Sequence, residues 1–162
     1  MNNGILVLGV GNPIMGDDQV GLAILAGLQQ ARPDAPVQFV DGGTGGLELL
    51  PLVEDCGRLL VLDAVAGQVP GQVVAVSGDQ VPRLLASKLS PHQVGLLDIF
   101  TAARLRGREP HRVEVVGVVP QSVELRVGLS EPVAAAVGAA VVAAADVLDD
   151  WIAEPPELVP YS

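Results

Sequence analysis

Two kinds of segment alternate along the chain. Short runs of Val, Ile and Leu, apolar on both faces, are followed by longer stretches whose apolar positions recur at helical spacing. That alternation predicts an α/β fold with a mostly parallel sheet. The first run, Ile5–Val10, reads as a central strand covered by helices on both sides. A helix is expected next, from about Asp18 to Gln30, with Val20, Ala23, Ile24 and Leu28 on one face and Asp17 as its N-cap. A second strand falls at Val37–Val40. The glycine-rich turn Asp41–Gly46 then leads into a helix with Thr44 as its cap, which Pro51 is expected to end or kink.

The third strand is Leu59–Asp63. The stretch Gly67–Gly71 is too short for a crossover helix, so the fourth strand, Gln72–Val76, is expected to run antiparallel to the third. A short helix covers Gln80–Ala86. Ser90-Pro91 supplies an N-cap and an N1 proline for a helix through about Leu105. Val113–Val119 is the fifth strand, and Ser130 opens a last helix running to about Trp151. With no internal repeat or linker, residues 1–153 read as one α/β domain. Residues 154–162 carry three prolines and read as a loose tail.

Composition narrows the chemistry. Of 162 residues, 49% are hydrophobic but only 2% aromatic, so Val, Leu and Ala must fill the core; general disorder is excluded. Nine Lys and Arg against nineteen Asp and Glu give a net charge of −10, a poor surface for nucleic acid. One cysteine, Cys56, excludes an internal disulfide and a Cys-based zinc cluster, and two histidines exclude a three-His metal site. The first basic residue, Arg32, lies past the opening apolar run, unlike a secretory signal. The longest apolar stretch, Val133–Ala145, is shorter than the roughly 20 residues of a membrane span. A soluble, cytoplasmic protein with no membrane insertion is expected.

The loop Gly9–Asp18 half-matches two phosphate loops. A dinucleotide fingerprint needs glycine where Ile14 stands, and a P-loop needs Lys and Ser/Thr where Asp17-Asp18 stand. Two carboxylates at a helix N-terminus repel phosphate, so a metal cation suits the loop better. A cap needs only Asp17; Asp18 is then a dipole partner or a ligand. Asp63 ends an apolar strand and faces the crevice above the strand ends, or caps the following loop. Asp41 ends the second strand in the same way, as a ribose-holding acid or as an Asx-turn stabiliser. His92 falls in a first helical turn, where the dipole favours the neutral, metal-binding imidazole; otherwise it is a plain surface residue. His111 is expected to be solvated. Cys56 has no activating neighbour evident, and there is no G-x-S-x-G elbow. Arg104, Arg106, Arg108 and Arg112 form a solvated helix end or a docking patch for an acidic partner.

Five pieces occur in order: Gly9-Val-Gly-Asn-Pro-Ile-Met-Gly-Asp-Asp-Gln-Val-Gly21, Asp41-Gly-Gly-Thr-Gly-Gly46, Leu62-Asp63-Ala64, Ser90-Pro-His-Gln-Val-Gly95, and Gly117-Val-Val-Pro120 with Gly128-Leu-Ser130. Together they resemble the [NiFe]-hydrogenase maturation endopeptidases over nearly the whole chain. The Ser-Pro-His-Gln form looks most like the branch serving uptake hydrogenases. The resemblance implies a three-layer α/β/α fold with a mixed five-stranded, mostly parallel twisted sheet whose fourth strand is antiparallel. It implies removal of a C-terminal extension from the hydrogenase large-subunit precursor after nickel insertion. It implies metal ligands at Asp18, Asp63 and His92, with Asp18 where the family often has the longer Glu.

One nitrogen and two oxygen ligands leave coordination positions open and suit nickel, zinc or iron. Either the site docks on nickel already held by the precursor, or the enzyme holds a divalent metal that activates water. The first is the favoured expectation, with Asp41 as an assisting carboxylate. Two readings from other classes stand beside it. A nucleotide-binding Rossmann-like module would bind NAD or ATP. A non-catalytic nickel-binding assembly chaperone would bind metal and leave the precursor tail in place.

Overall fold

Two strands of the chain are buried along their whole length, β1 (Ile5–Val10) and β3 (Arg58–Ala64), and they lie side by side. This computed structural model describes residues 4–86 and 91–154, and of residues 83, 85, 86 and 91–94 only the backbone. Around that pair the sheet has the order β2-β1-β3-β5-β4, with β2 at Gln38–Gly43, β4 at Val73–Ser77 and β5 at Arg112–Val118. The pairs β1–β2, β1–β3 and β3–β5 are parallel, and β4 is antiparallel to β5. The two strands with mixed burial, β2 and β4, take the edges. The fourth strand thus runs opposite to the third, as expected, but β5 lies between them. β5 is apolar on both faces, with Val115 buried on one and Val116 and Val118 on the other, which suits the inner place.

Side chains alternate across the sheet with period two and build two cores. Ile5, Val7, Leu60, Leu62, Val116 and Val118 pack against α1 (Val20–Ala31) and α5 (Glu131–Ala153). Leu6, Leu8, Val10, Leu59, Val61 and Val115 belong to the other, which is covered by α2 (Leu50–Asp55), α3 (Gln80–Ala86) and α4 (Pro91–Leu105). The result is the three-layer α/β/α architecture. By length and hydropathy α5 could cross a membrane. Here one of its faces is core, with Val133, Ala140, Ala144, Leu148 and Trp151 buried. The Arg58 guanidinium donates to the Trp151 carbonyl at 2.6 Å and ties the end of α5 to the start of β3.

Several local expectations are corrected. Asp17 does not cap α1. A single 3-10 turn, Gly16–Gln19, precedes that helix, and Gln19 takes the cap position without a side-chain bond. Pro51 begins α2 instead of ending it, because a first-turn proline lacks only an N–H that has no helical partner there. Leu49, not Thr44, occupies the cap position of α2. Glu154, expected to start the loose tail, pairs with Arg112 and lies 3.6 Å from Arg58. Residues 155–162, and Ser90 as the expected cap of α4, lie outside the described residues.

One contact sets the depth of α1. A Cβ at Gly21 would lie 2.2 Å from the Leu62 carbonyl oxygen and 2.4 Å from that of Val10. The first turn of α1 therefore rests directly on the carboxyl ends of β1 and β3. Gly21→Ala is expected to destabilise the protein by about 3 kcal/mol, the upper end for overpacking, because the obstacles are backbone atoms that cannot rotate away. Urea denaturation of the variant beside the parent measures it.

Candidate active site at the carboxyl ends of the strands

The chain leaves β1 for one edge of the sheet and returns to its other side at β3. This switch opens a crevice beyond the carboxyl ends of those strands, where ligands bind in such folds. Asp63, the penultimate residue of β3, is fully buried at 0% exposure. Its Oδ1 accepts a hydrogen bond from the Ala64 N–H at 2.7 Å. Asp18 sits in the 3-10 turn that packs on β3 and is 1% exposed. The Asn12 N–H donates to its Oδ2 at 2.9 Å, and Asn12 Oδ1 in turn accepts from the Ile14 N–H at 3.1 Å. The depth of α1 thus brings Asp18 to the end of the strand that carries Asp63.

Asp41 lies inside the β2 ladder opposite Gly9, because β2 runs on to Gly43. It is exposed, and its Oδ1 accepts from the Gly43 N–H at 2.9 Å, the geometry of an Asx turn. His92 occupies the second position of α4, and its side chain lies outside the described residues. The first turns of α4 approach the same edge: a Cβ at Gly95 would lie 3.7 Å from the Gly45 carbonyl oxygen and from Gly46 Cα. Among the described residues no group of three His, Cys, Asp or Glu side chains is placed to hold a metal. The ligand set of the sequence reading requires His92.

Asp17 turns out to have a different task from Asp18. It is 1% exposed. Its Oδ1 accepts from the Ser130 N–H at 2.7 Å. Its Oδ2 accepts from the Ser130 hydroxyl at 2.7 Å, from the Gln121 N–H at 2.8 Å and from the Ser122 N–H at 3.2 Å. Burial pushes this carboxyl up, but the bonds from Ser130, Gln121 and Ser122 outweigh it and hold it below its ordinary value. Nothing local signals this arrangement, since the donors lie more than a hundred residues away in sequence.

The loop after β1 turns its amides inward. Gly11 N–H donates to Gly43 O at 2.8 Å, Gly16 N–H to Arg126 O at 2.9 Å, Asp17 N–H to Ser122 O at 3.0 Å and Asp18 N–H to Met15 O at 3.1 Å. A phosphate loop aims such groups at its ligand. A Cβ at Gly11 would lie 2.2 Å from the Asp18 carbonyl oxygen, so that glycine serves packing within the loop.

The remaining candidates fall away from the site. Cys56 is buried, its Sγ donates to Val53 O at 3.3 Å, and burial pushes the thiol up to about 12. In the arginine cluster Arg106 pairs with Glu54 at 2.6 Å, Arg108 with Asp55 at 3.9 Å, and Arg112 with Glu154, while Arg104, Arg106 and Arg108 are exposed, as a solvated helix end is. His111 is half-buried, not solvated, at the amino end of β5. Two clefts of about 450 Å³ each, one beside Cys56 and one beside His111, open at that opposite edge of the sheet.

Fold and site together describe a doubly wound α/β protein with buried carboxylates at its switch point. Comparison with known proteins is more specific. The family model described as hydrogenase maturation protease matches residues 23–147. The Hydrogenase 2 maturation protease of Escherichia coli (strain K12) is 40% identical over 135 residues, which is 81% of this chain and 82% of that protein. The solved structure of the hydrogenase maturating endopeptidase HybD from E. coli superposes with a TM-score of 0.84 at 37% identity, covering 91% of this chain and 93% of that one. The [NiFe] hydrogenase maturation protease HybD from Thermococcus kodakarensis gives 0.74 at 26% identity, covering 90% and 99%. The chain belongs to the hydrogenase maturation protease family, and it is an endopeptidase.

Two outcomes follow. Cys56 should resist thiol reagents at pH 8 in the native protein and react fully in urea, and Cys56→Ala should keep full protease activity, because a thiol with a pKa near 12 supplies almost no thiolate. Asp17, with its pKa lowered from 3.8, stabilises the fold fully above that pH and progressively less as pH falls through its native value. Asp17→Ala should cost about 3 kcal/mol at pH 7. That gap from the parent should narrow below pH 3.8, as followed by urea unfolding across pH.

Proposed function

We propose that this endopeptidase removes the C-terminal extension of a [NiFe]-hydrogenase large-subunit precursor after nickel has been inserted, and that Asp18, Asp63 and His92 meet the nickel. The observation that supports the reading is a pair of buried acids, Asp63 near the end of β3 and Asp18 in the 3-10 turn that packs on β3. Carboxylate oxygens and an imidazole nitrogen are a fitting donor set for nickel. The nickel belongs to the substrate: the precursor brings the ion that licenses its own cleavage. Such a site need only be open and of modest affinity. Asp18 is one methylene shorter than Glu, and the close seating of α1 compensates by lowering its turn onto β3.

Asp41 is the assisting carboxylate. It is exposed at the end of the neighbouring strand β2, where it can take a proton from attacking water. The reaction is placed in the cytoplasm, where a reduced lone cysteine is the ordinary state. The inward-turned amides of the first loop speak against a nucleotide-binding module.

The deciding assay incubates the purified enzyme with nickel-loaded and nickel-free precursor and weighs the products by mass spectrometry. Loss of the tail from the nickel-loaded form alone is expected. Efficient cleavage of the nickel-free form would overturn nickel docking in favour of a metal held by the enzyme, and metal binding with the tail intact would mean that the precursor tried is not its substrate. Asp18→Ala, Asp63→Ala and His92→Ala should each slow cleavage by about 100-fold or more. Asp41→Asn should slow it by about 100-fold, and full activity of that variant would remove Asp41 from the reaction.

A further inference from the structure

We infer that Asp17 is a positioning residue: it locks the loop that follows β5 onto the 3-10 turn and so fixes the neighbouring Asp18 carboxylate at the switch point. The inference rests on the reading of Asp18 as a residue that meets nickel. A carboxylate offers about four acceptor positions. Asp17 accepts four bonds, one on Oδ1 from Ser130 N–H and three on Oδ2 from the Ser130 hydroxyl, Gln121 N–H and Ser122 N–H. With four donors around a carboxylate that is 1% exposed, Asp17 is held by the frame of the protein. The adjacent acids thus differ in their partners: Asp17 takes four donors from the loop after β5 and the start of α5, and Asp18 takes the Asn12 N–H within its own loop.

The backbone shares in the lock. Gly16 N–H donates to Arg126 O, Arg126 N–H to Ile14 O and Asp17 N–H to Ser122 O, at 2.9, 3.0 and 3.0 Å. Gly16, at φ +56°, is pressed between the Ser122 and Glu124 carbonyls, so a side chain there would be both strained and crowded. Residues 14–17 are thereby held against residues 121–130, and Asp18 follows directly. Ser130, expected as the cap of α5, makes no side-chain cap bond and gives its hydroxyl to Asp17 instead. The start of α5 is anchored to the site by the same carboxylate.

Asparagine is the isosteric test. It can keep one oxygen towards Gln121, Ser122 and the Ser130 hydroxyl, but its amide then faces the Ser130 N–H, donor against donor. Asp17→Asn is expected to weaken Ni²⁺ binding by the whole chain on the order of tenfold and to slow cleavage of nickel-loaded precursor in proportion. Amide exchange should quicken at Gln121, Ser122 and Ser130 while β1 and β3 stay protected. Ser130→Ala removes one of the four bonds and should show the same effects at a few-fold, with Ser130→Thr, which keeps the hydroxyl, restoring them. Unchanged Ni²⁺ affinity and cleavage in Asp17→Asn, with exchange at those amides quickened, would overturn the inference. If Asp17→Asn fails to fold, Ser130→Ala carries the test, and parent-like values there overturn it. Asp18→Ala separates the two claims. If it loses Ni²⁺ binding and cleavage while Asp17→Asn does not, only positioning fails; if it behaves as the parent, the ligand reading fails and positioning with it.

Discussion

Gly21 lies so close to the carbonyl oxygens of Val10 and Leu62 that no side chain fits between them. Much else depends on this contact. It seats the first turn of α1 on the ends of β1 and β3, and those strands form the buried centre of the sheet. It lowers the 3-10 turn towards β3, where Asp63 is buried. A bulkier residue would lift the helix and carry Asp18 away with it. Packing density at one glycine thus becomes the geometry of a site, because interiors pack like crystals and pass displacement on.

The acids at this edge are kept apart in role by their partners. A buried carboxylate is tolerable only with donors or a cation close by. The protein gives Asp17 four donors and makes it part of the frame. Asp18 receives the Asn12 amide and Asp63 its neighbour's amide, and both stand where the switch point opens. Asp41, on the exposed edge strand, keeps contact with water.

Much of the fold was legible because burial on both faces leaves a plain mark. Ile5–Val10 and Leu59–Leu62 are runs without a polar side chain, and they lie in the central strands. Apart from Pro51, the failures share a cause, which is that the deciding atoms are distant in sequence. Pro51 reads alike as a helix end or a helix start until the turn before it is known. The neighbour of β4 depends on where β5 inserts, which no local pattern states. The arginines from Arg106 to Arg112 show no partners in the sequence, because Glu54, Asp55 and Glu154 arrive from other elements. Asp17 looks like a cap because its true partners are at residues 121, 122 and 130. The position of Asp63 near the end of a buried strand was legible; the way Gly21 seats the turn of Asp18 on that strand was not.

The central claim is that Asp18, Asp63 and His92 form one site that meets the nickel of the precursor. Nickel-edge X-ray absorption tests it most directly, recorded on nickel-loaded precursor alone and again with excess enzyme held cold before cleavage. The account predicts added oxygen and nitrogen neighbours at the nickel when the enzyme is present, and their loss with Asp63→Ala. A nickel spectrum unchanged by enzyme that goes on to remove the tail would contradict it.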